Sequence, residues 1–498
     1  MSDEPISPRG DRDDHEAMHS DHDRFYIGGE WAAPTSSERL TIINATTEEV
    51  LGTAPAGAHA DIDAAVAAAR RAFDDPGGWR TWTPDARAEA MRRLAAALDA
   101  RREEITRVVS SENGMPTSLA QMLEGAVPSL LLRYYADLIS GSSPEEHRDG
   151  LLGRPVLVRR EPIGVVAAIA PWNAPQTLAS GKYAPALAAG CTVVLKPSPE
   201  TAMDAILFSE AVAEAGLPDG VVNVVPADRE VGAYLVAHAG VDKVAFTGST
   251  AAGRSIAETC GRLLRPVSLE LGGKSAAIVL EDAELDTETM RQELFAATLM
   301  NNGQACFAST RILAPRSRYG EVVDAVSSLA ASLTVGDPLD PGTQIGPLAT
   351  ATQRKRVENY IARGKAEGSR LTAGGGRPAH LDRGWFVEPT VFADVDNGQV
   401  IAQEEIFGPV LVVIPYEDED DAVRLANDSA YGLAGSIWTR DTEHGLEVAR
   451  RINTGSIGIN HYMSDPVAPF GGVKASGIGR ELGPEGLAGY QQPKSLYL

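Results

Sequence analysis

Residues 156–170, VLVRREPIGVVAAIA, decide the fold class, because two runs rich in β-branched residues follow each other here. From this point short apolar runs alternate with Ala-rich segments of helical spacing. Strands that alternate with helices of about 10–15 residues are typical of βαβ units and a parallel sheet. The predicted strands are Val165–Ile169, Val193–Leu195, Val221–Val225, Val244–Phe246 and Val267–Leu271, and the predicted helices lie near 176–189, 201–215, 229–239 and 250–264.

The chain on either side extends this α/β pattern. Ahead of it, FYIGGEW at 25–31 predicts a short strand with a turn at Gly28–Gly29. Behind it, a second α/β region covers about 273–470, with strand-like runs AAIVL, WFVEPTVFADV, PVLVVIPY and SIGIN. Further helices are predicted over 61–75, 85–112, 115–139, 350–368 and 419–428. The final SLYL predicts a short strand, of the kind that often pairs with a partner subunit.

Composition limits the classes of function. The 498 residues are 43% hydrophobic, which is enough for two or three domains with large cores. The net charge of −23 disfavours nucleic acid and anionic membrane surfaces as partners. No apolar run approaches the roughly 18 residues of a membrane span. Three cysteines do not form a disulfide framework, which favours a reducing compartment, the cytoplasm.

The N-terminal residues 1–24, MSDEPISPRGDRDDHEAMHSDHDR, are acidic and lack the apolar segment of a secretory signal. Their composition predicts a disordered tail. His15, His19 and His22 could share one helical face and hold a metal ion. The composition favours a solvated tail over that alternative, so we predict no metal site.

Residues 301–310, NNGQACFAST, place one of the cysteines between small and amide residues, with an aromatic beside it. A free cysteine is usually an ordinary small buried hydrophobe. The alternative is a reactive thiol that attacks as the thiolate. This stretch alone leaves both interpretations of Cys306 open.

Three predicted strands end in segments of ligand-binding character, at the sheet edge where ligands of parallel sheets bind. These segments are APWNAP, KPSP and TGSTAAG. In TGSTAAG, Gly248, Ser249 and Gly253 would let a pyrophosphate approach the start of a helix. The spacing differs from G-x-G-x-x-G, and a serine helix cap explains it equally well. Lys196 suits ribose hydroxyls but equally suits an exposed surface.

LELGGKS, residues 269–275, places Glu270 within an apolar strand, where an unpaired carboxylate is unfavourable. A partly desolvated glutamate has a raised pKa and is a good general base. A structural glutamate paired with a lysine or with backbone amides is the alternative. Near the C-terminus, PFGGVKASGIGRELG, residues 469–483, is rich in glycine and predicts a loop with several turns.

Taken together, seven segments resemble the aldehyde dehydrogenase superfamily, in the family's order and spacing over about 25–498. They are APWNAP, LKPSP, AFTGST, LELGGKS, NNGQAC, EEIFGPV and PFGGVKASGIGREL. The resemblance implies an α/β fold with a Rossmann-like parallel-sheet cofactor domain, an α/β catalytic domain and a small β oligomerisation arm. It places the cofactor domain at 25–141 and 161–272, the catalytic domain at 273–472, and the arm at 142–160 and 485–498.

The same resemblance implies the chemistry. Cys306 matches the family's nucleophile, Asn173 its oxyanion donor, and Glu270 the base that activates water against a Cys306 thioester. Lys182 and Glu481 match a proton path. Phe307 and Phe470, with Asn173, are expected to contact the aldehyde. Two alternatives stay open: an acylating enzyme that transfers the thioester to coenzyme A, and a protein that keeps the fold without turnover.

The resemblance also implies an NAD site, a small aldehyde as substrate, and a homotetramer, with a dimer as the alternative. The expected cofactor residues are Ile169, Ala170, Pro171, Trp172, Lys196, Pro197, Ser198, Gly220, Phe246, Thr247, Gly248, Ser249, Leu271, Gly272, Glu405 and Phe407. Many NAD-preferring members carry a glutamate where this chain has Pro199, with Glu200 one position further, so NADP stays open. The small Ala174 and Gly181 suggest a roomy substrate channel, which Tyr462 and Met463 could narrow.

Overall fold

The computed structural model describes residues 23–285 and 287–498, so the predicted tail, with His15, His19 and His22, lies almost wholly outside the described residues. Its strands, β1–β20, are Phe25–Ile27, Glu30–Ala32, Arg39–Ile43, Val50–Pro55, Glu145–Arg148, Val156–Pro162, Val165–Ile169, Thr192–Lys196, Val222–Val224, Lys243–Thr247, Val267–Glu270, Ala276–Val279, Arg311–Pro315, Arg370–Ala373, Thr390–Ala393, Val410–Tyr416, Gly435–Trp438, Gly458–Ile459, Gly477–Ile478 and Gln491–Tyr497. Its α-helices, α1–α16, are His59–Asp74, Pro84–Ala100, Arg102–Asn113, Thr117–Leu123, Val127–Ile139, Pro175–Ala189, Ala202–Ala215, Arg229–Ala237, Thr250–Arg262, Glu288–Thr298, Tyr319–Ser332, Ala351–Ala366, Val400–Gln403, Glu419–Asn427, Thr442–Ala449 and Gly483–Ala488.

The first large sheet has the strand order β19-β11-β10-β7-β8-β9-β1-β2. Its central strands β11, β10, β7, β8 and β9 are parallel, which confirms the predicted βαβ region. These strands are almost wholly buried, and apolar side chains of helix α6 pack against them in the core. The carboxyl ends of β7, β8, β10 and β11 therefore meet at one edge.

The second large sheet has the order β14-β15-β16-β13-β12-β17-β18 and is parallel except for the β14 edge. Its apolar strands pack against helices on both faces. A separate antiparallel sheet, β20-β6-β5, joins the C-terminal strand to the hairpin that precedes the first sheet. The predicted terminal strand is thus longer than SLYL, and it pairs with β6 at the edge of this sheet.

Two predicted helices are each divided. The segment 85–112 breaks at Arg101, whose ψ of 6° leaves the helical range, into α2 and α3. The segment 115–139 breaks between α4 and α5, where Gly125 and Pro128 interrupt helical propensity. The hairpin β3–β4 and helices α10, α11 and α15 had no sequence prediction. No described helix is both long and apolar enough to cross a membrane.

Candidate active site

A cavity of about 260 Å³ lies at the carboxyl edge of the first sheet and is also lined by residues of the second α/β region. It brings together most of the residues expected to carry chemistry. Its lining residues are Pro171, Trp172, Asn173, Leu178, Thr247, Gly248, Ser249, Glu270, Leu271, Gly272, Cys306, Gln353, Arg356, Glu405 and Phe407.

Cys306 reaches this cavity from a tight turn. Asn301 and Asn302 adopt left-handed backbone angles, with φ of 55° and 60°, a conformation that asparagine tolerates better than most residues. The side-chain amide of Asn302 donates to the carbonyls of Gly114 and Pro347, at 2.8 Å each. This network fixes the turn and holds the thiol at a part-exposed position.

Asn173 enters from the first sheet, shortly after the carboxyl end of β7. Its side-chain nitrogen donates to the carbonyl of Gln304 at 2.9 Å, two residues before Cys306. An amide has a second N–H. Since Asn173 and Cys306 both line the cavity, that N–H is available to an oxygen bound beside the thiol. The amide of Asn301 in turn holds the backbone carbonyl of Asn173 at 2.8 Å.

Glu270 is the last residue of β11, and its side chain is almost fully buried. Neither carboxylate oxygen has a hydrogen-bond partner among the described residues. Burial raises the pKa of Glu270 well above its usual value, and the Glu481 carboxylate raises it further, whereas Lys182 and Arg480 oppose the rise. A carboxyl with a raised pKa takes up a proton more readily than an ordinary one, as a general base must.

A buried ion pair stands behind Glu270. The ammonium Nζ of Lys182, on α6, lies 2.6 Å from Oε1 of Glu481 and donates to Oγ1 of Thr247 at 2.6 Å. Thr247 pairs with Glu270 across strands β10 and β11. The small Gly181 packs close to this pair, because a Cβ at this position would lie 3.0 Å from Oε2 of Glu481. Gly181 therefore lies beside the ion pair, and its role in widening a substrate channel stays a prediction.

The start of α9 forms one end of the cavity. Ser249 caps this helix, since its Oγ accepts from the backbone N–H of Ala252 at 3.3 Å. A Cβ on Gly248 would lie 2.5 Å from the ring of Phe246, so only glycine lets the backbone pass here. The backbone N–H groups at a helix start suit a pyrophosphate.

Glu405 and Phe407 form the opposite wall. Oε1 of Glu405 accepts from the backbone N–H of Gly273 at 3.0 Å, and a Cβ on Gly272 would lie 2.4 Å from its Oε2. The ring of Phe407 meets that of Trp172 edge to face, with centroids 5.4 Å apart. Gly248, Gly272 and this wall leave room for a flat, extended ligand, so the residues present fit a dinucleotide.

Lys196 ends β8 at the same sheet edge, together with Ile169, Ala170, Pro197 and Ser198, which stand at or just after strand ends. Burial lowers the pKa of Lys196 to about 8, against the opposing effects of nearby carboxylates.

Gly220 does not lie at this edge of the sheet. It precedes β9, at the amino end of the strand, and a Cβ there would lie 2.6 Å from the carbonyl of Ala68 on α1. The structure does not bring Gly220 to this site.

The comparisons with known proteins agree with this geometry. The model of the aldehyde dehydrogenase family matches residues 31–496. The chain is 56% identical over 481 residues to geranial dehydrogenase of Castellaniella defragrans, which covers 97% of this chain and 100% of that protein. The chain belongs to the aldehyde dehydrogenase family. It is an aldehyde-oxidising enzyme, as the sequence predicted, and the aldehyde dehydrogenase fold is confirmed.

Two solved structures are also similar. An aldehyde dehydrogenase of Mycobacterium tuberculosis complexed with NAD+ is 48% identical, with a TM-score of 0.93, and covers 96% of this chain and 99% of its own. A cysteine-to-alanine mutant of aldehyde dehydrogenase C from Pseudomonas syringae, in a complex with NAD+ and octanal, is 39% identical, with a TM-score of 0.91 and 98% coverage of both chains.

The surroundings of Cys306 favour its protonated thiol over the thiolate. Burial raises the pKa of Cys306 to about 12, and the carboxylates of Glu405 and Glu270 contribute to the rise. A thiol with so high a pKa needs a base in order to act as a nucleophile, and Glu270 lines the same cavity. Phe307 follows the thiol and packs against the ring of Tyr462, with centroids 5.2 Å apart.

Sequence reasoning missed two residues that support the wall formed by Glu405 and Phe407. Gln353, on α12, donates from Nε2 to the carbonyl of Phe407 at 2.6 Å. Arg356 lies one turn further and donates to the carbonyls of Glu405 and Ile406. These bonds hold Phe407 in a left-handed backbone conformation with φ of 62°. The only sequence signal for Gln353 and Arg356 is the polar spacing of α12, which any solvated helix shows.

Phe470 has a buried side chain, and its backbone pairs with that of Glu481.

Gly471 provides the first prediction. A Cβ there would lie 2.6 Å from Oε1 of Glu270, and the backbone has φ of 151°. We expect Gly471→Ala to displace the Glu270 carboxylate and to lower kcat by about tenfold to a hundredfold. Steady-state kinetics measures the change, with Gly261→Ala as control, since that glycine has open space around it. Equal rates for the two variants would contradict the assigned position of Glu270.

Proposed function

We propose that this aldehyde dehydrogenase oxidises an apolar aldehyde to its carboxylic acid with NAD+, through a thioester on Cys306 that water hydrolyses. The observation that carries the proposal is a single cavity lined by Cys306, Asn173 and Glu270 together with the wall formed by Glu405 and Phe407. The five residues come from distant parts of the sequence and from both α/β regions. NAD+ rests on the fit of this cavity and on the two NAD+ complexes of similar fold.

The first step joins the Cys306 sulfur to the aldehyde carbon. Glu270 takes the thiol proton, the C–S bond forms, and the electron pair of the carbonyl moves to its oxygen. The free N–H of Asn173 and the backbone N–H of Cys306 donate to that oxyanion. NAD+ held between the start of α9 and the wall of Glu405 and Phe407 would supply the hydride acceptor needed to oxidise the adduct to a thioester.

The second step releases the acid. Once Glu270 has passed the thiol proton on, it removes a proton from water, the hydroxide oxygen bonds to the thioester carbon, and the C–S bond breaks to return the thiolate. The proton on Glu270 then needs a route out of a buried site. The Lys182–Glu481 pair stands next to it and offers ionisable groups in hydrogen-bond contact. Lys182 and Glu481 therefore act as the proposed proton path.

Asn173→Ala gives the second prediction. Loss of one oxyanion donor is expected to lower kcat by about 10²–10³-fold with little change in NAD+ affinity. Pre-steady-state NADH formation measures the loss at the chemical step. Asn223→Ala is the control, because that buried amide donates to the backbone carbonyls of Val193 and Gly220 and does not line the cavity. A normal NADH burst in Asn173→Ala would contradict the oxyanion role.

The substrate class follows from the apolar groups near the thiol. Ala174 packs with Met115 and with the side chain of Leu178, which lines the cavity. Phe307 and Tyr462 add aromatic surface beside Cys306. Geranial, after which the first similar protein is named, and octanal, which is bound in the second, are both apolar. A terpenoid or medium-chain aliphatic aldehyde is therefore the proposed substrate.

A panel of aldehydes tests the function. Geranial and octanal are expected to give a much higher kcat/KM than the cationic betaine aldehyde, with NAD+ as cofactor. Each reaction is run with and without coenzyme A, and the products are identified by mass spectrometry. Free acid as the product supports hydrolysis. Acyl-coenzyme A as the main product would instead make this an acylating enzyme.

The assembly and the compartment extend the proposal. We place the oligomerisation arm at 142–160 and 485–498, the cofactor domain at 25–141 and 161–272, and the catalytic domain at 273–472. The arm's β5–β6 loop carries Leu151 and Leu152, which are fully exposed at 104% and 99%. Exposed leucines next to an exposed strand suit contact with another subunit, in a homotetramer.

The three free thiols suit the reducing cytoplasm.

The third prediction concerns the arm. Leu151→Asp combined with Leu152→Asp is expected to shift the tetramer toward smaller species, because charges replace apolar surface at the contact. Light scattering coupled to gel filtration measures the mass. Leu264→Asp, at another exposed leucine, is the control. An unchanged mass for the double variant would contradict the role of this loop.

A further inference from the structure

Asn173 stands in a short segment that belongs to neither a helix nor a strand. Residues 170–174 connect β7, which ends at Ile169, to α6, which starts at Pro175. The residue just before α6, Ala174, has φ of −147° and ψ of 71° and provides no side-chain cap for the helix. The direction of the Asn173 side chain therefore depends on the groups that hold the backbone of this segment from outside.

Asn113, the last residue of α3, holds this backbone from the side of the N-terminal helices. Its Nδ2 donates to the carbonyl of Trp172 at 3.0 Å and to that of Asn173 at 3.3 Å. Its Oδ1 accepts from the backbone N–H of Met115 at 3.0 Å, which fixes the orientation of the amide. Asn113 is fully buried, so water cannot replace these bonds.

Asn301 holds the same backbone from the second α/β region. Its Nδ2 donates to the carbonyl of Asn173 at 2.8 Å and also lies 3.3 Å from the carbonyl of Gln304. A carbonyl oxygen has two lone pairs, so Asn113 and Asn301 together fill both acceptor positions of Asn173. The backbone of Asn173 is therefore held between two parts of the chain that are distant in sequence.

We infer that Asn113 is a positioning residue for the oxyanion site, which aims the second N–H of Asn173 at the oxygen of the thiohemiacetal. The inference rests on the proposed function, in which that oxygen binds beside Cys306. Asn113 is not among the residues that line the cavity, so it acts through Asn173. Without Asn113, only Asn301 would hold this carbonyl. A misplacement of about 1 Å at a reacting group can lower a rate by about 10²-fold.

Asn113→Asp tests this role, because the carboxylate keeps the shape of the side chain and the acceptor for Met115 but has no N–H for the two carbonyls. Stopped-flow measurement is expected to show an NADH burst about tenfold to a hundredfold slower than in the wild type. Asn113→Ala removes the same donors without adding a charge and is expected to give a loss of similar size. Circular dichroism and thermal melting establish the folding of each variant.

Asn223→Asp is the matched control. The Asn223 amide is also fully buried and donates to two backbone carbonyls, those of Val193 at 3.2 Å and Gly220 at 2.8 Å. Its Oδ1 likewise accepts from a backbone N–H, that of Gly28 at 2.9 Å. Because Asn223 makes the same kinds of bond away from the cavity, its variant is expected to keep the burst rate of the wild type.

A double-variant comparison separates positioning from a general loss of structure. In an Asn173→Ala background the oxyanion amide is absent, so Asn113→Asp is expected to slow the burst by less than about twofold further. A residue that only stabilises the fold would lower the rate by the same factor in both backgrounds. Equal losses in both backgrounds, or a folded Asn113→Asp protein with the burst rate of the wild type, would overturn the inference.

A binding measurement without turnover distinguishes this inference from the proposed function. An alkyl trifluoromethyl ketone is expected to form a hemithioketal: the C–S bond to Cys306 forms, the thiol proton passes to Glu270, and the carbonyl electron pair moves to the oxygen. Fluorine NMR measures the dissociation constant of this adduct, with Cys306→Ser to assign its signal. Asn113→Asp and Asn173→Ala are each expected to weaken the adduct about tenfold, and the double variant no more than either alone.

The outcomes of this titration differ for the two ideas. A wild-type adduct whose affinity is unchanged in Asn113→Asp would overturn the inference and leave the proposed function standing. A wild type that forms no adduct on Cys306 would contradict the proposed function and the inference with it.

Discussion

Cys306→Ser is expected to lower kcat for aldehyde oxidation by about 10⁴-fold or more, because no thiohemiacetal or thioester can form efficiently on a hydroxyl. The serine side chain is close in size, so the cavity keeps its shape. Steady-state NADH formation measures the loss, and calorimetric titration is expected to give an unchanged NAD+ affinity.

Cys260→Ser is the matched control for this variant. Cys260 is a buried free thiol on α9 that does not line the cavity. We expect it to retain nearly full kcat, although it can lose some stability. A Cys306→Ser protein with substantial activity would contradict the nucleophile assignment, as would a comparable loss of kcat in a well-folded Cys260→Ser protein.

Glu270→Gln carries the second large effect. Once the thioester has formed, no base is present to activate water, so the steady-state rate is expected to fall by about 10²–10⁴-fold. The first turnover should still release NADH as a burst, more slowly where Glu270 also takes the thiol proton. Stopped-flow measurement of NADH separates the burst from the steady state.

The pH dependence has a defined sign. The pKa of Glu270 is raised by burial and by Glu481. The base is active when deprotonated, so wild-type kcat is expected to fall as the pH drops through this raised value. In Glu270→Gln this fall of kcat at low pH should be absent. Glu481→Gln removes a carboxylate that raises the pKa, and therefore should move this fall of kcat to lower pH.

The control for Glu270→Gln is Glu124→Gln, at a second buried carboxylate whose pKa burial raises to about 7. Glu124 accepts from the backbone of Gln176 and does not line the cavity. A Glu270→Gln protein without any burst would indicate that Glu270 acts mainly on the thiol. A variant with unchanged steady-state rate would contradict both roles.

The sequence predicted the parallel strands well, because β7, β8 and β10 are short apolar runs bounded by turn residues and separated by Ala-rich helices. It could not predict the breaks at Arg101 and near Gly125, since apolar spacing continues across both. It also missed β19, where the predicted glycine-rich loop pairs with β11 beside Glu270. Backbone pairing of this kind leaves no side-chain pattern.

For the site, the motif residues came together because strand ends of a parallel sheet share one edge. Two glycines show the limit of the motif argument. Gly220 was predicted to contact the cofactor, yet it packs on α1, and Gly181, predicted to widen the channel, lies beside Glu481. Gln353 and Arg356 act through backbone carbonyls of a distant loop, a contact that only the folded chain defines.

The central claim is that Cys306 forms a thioester that Glu270 helps to hydrolyse, and mass spectrometry tests it most directly. Glu270→Gln enzyme is mixed with geranial and NAD+, quenched in acid within the burst, and digested. The account predicts one peptide, containing Cys306, heavier by the geranoyl group, and no such adduct in Glu270→Gln combined with Cys306→Ser. NADH formation in a full burst with an unmodified Cys306 peptide, or an acyl group on another residue, would contradict it.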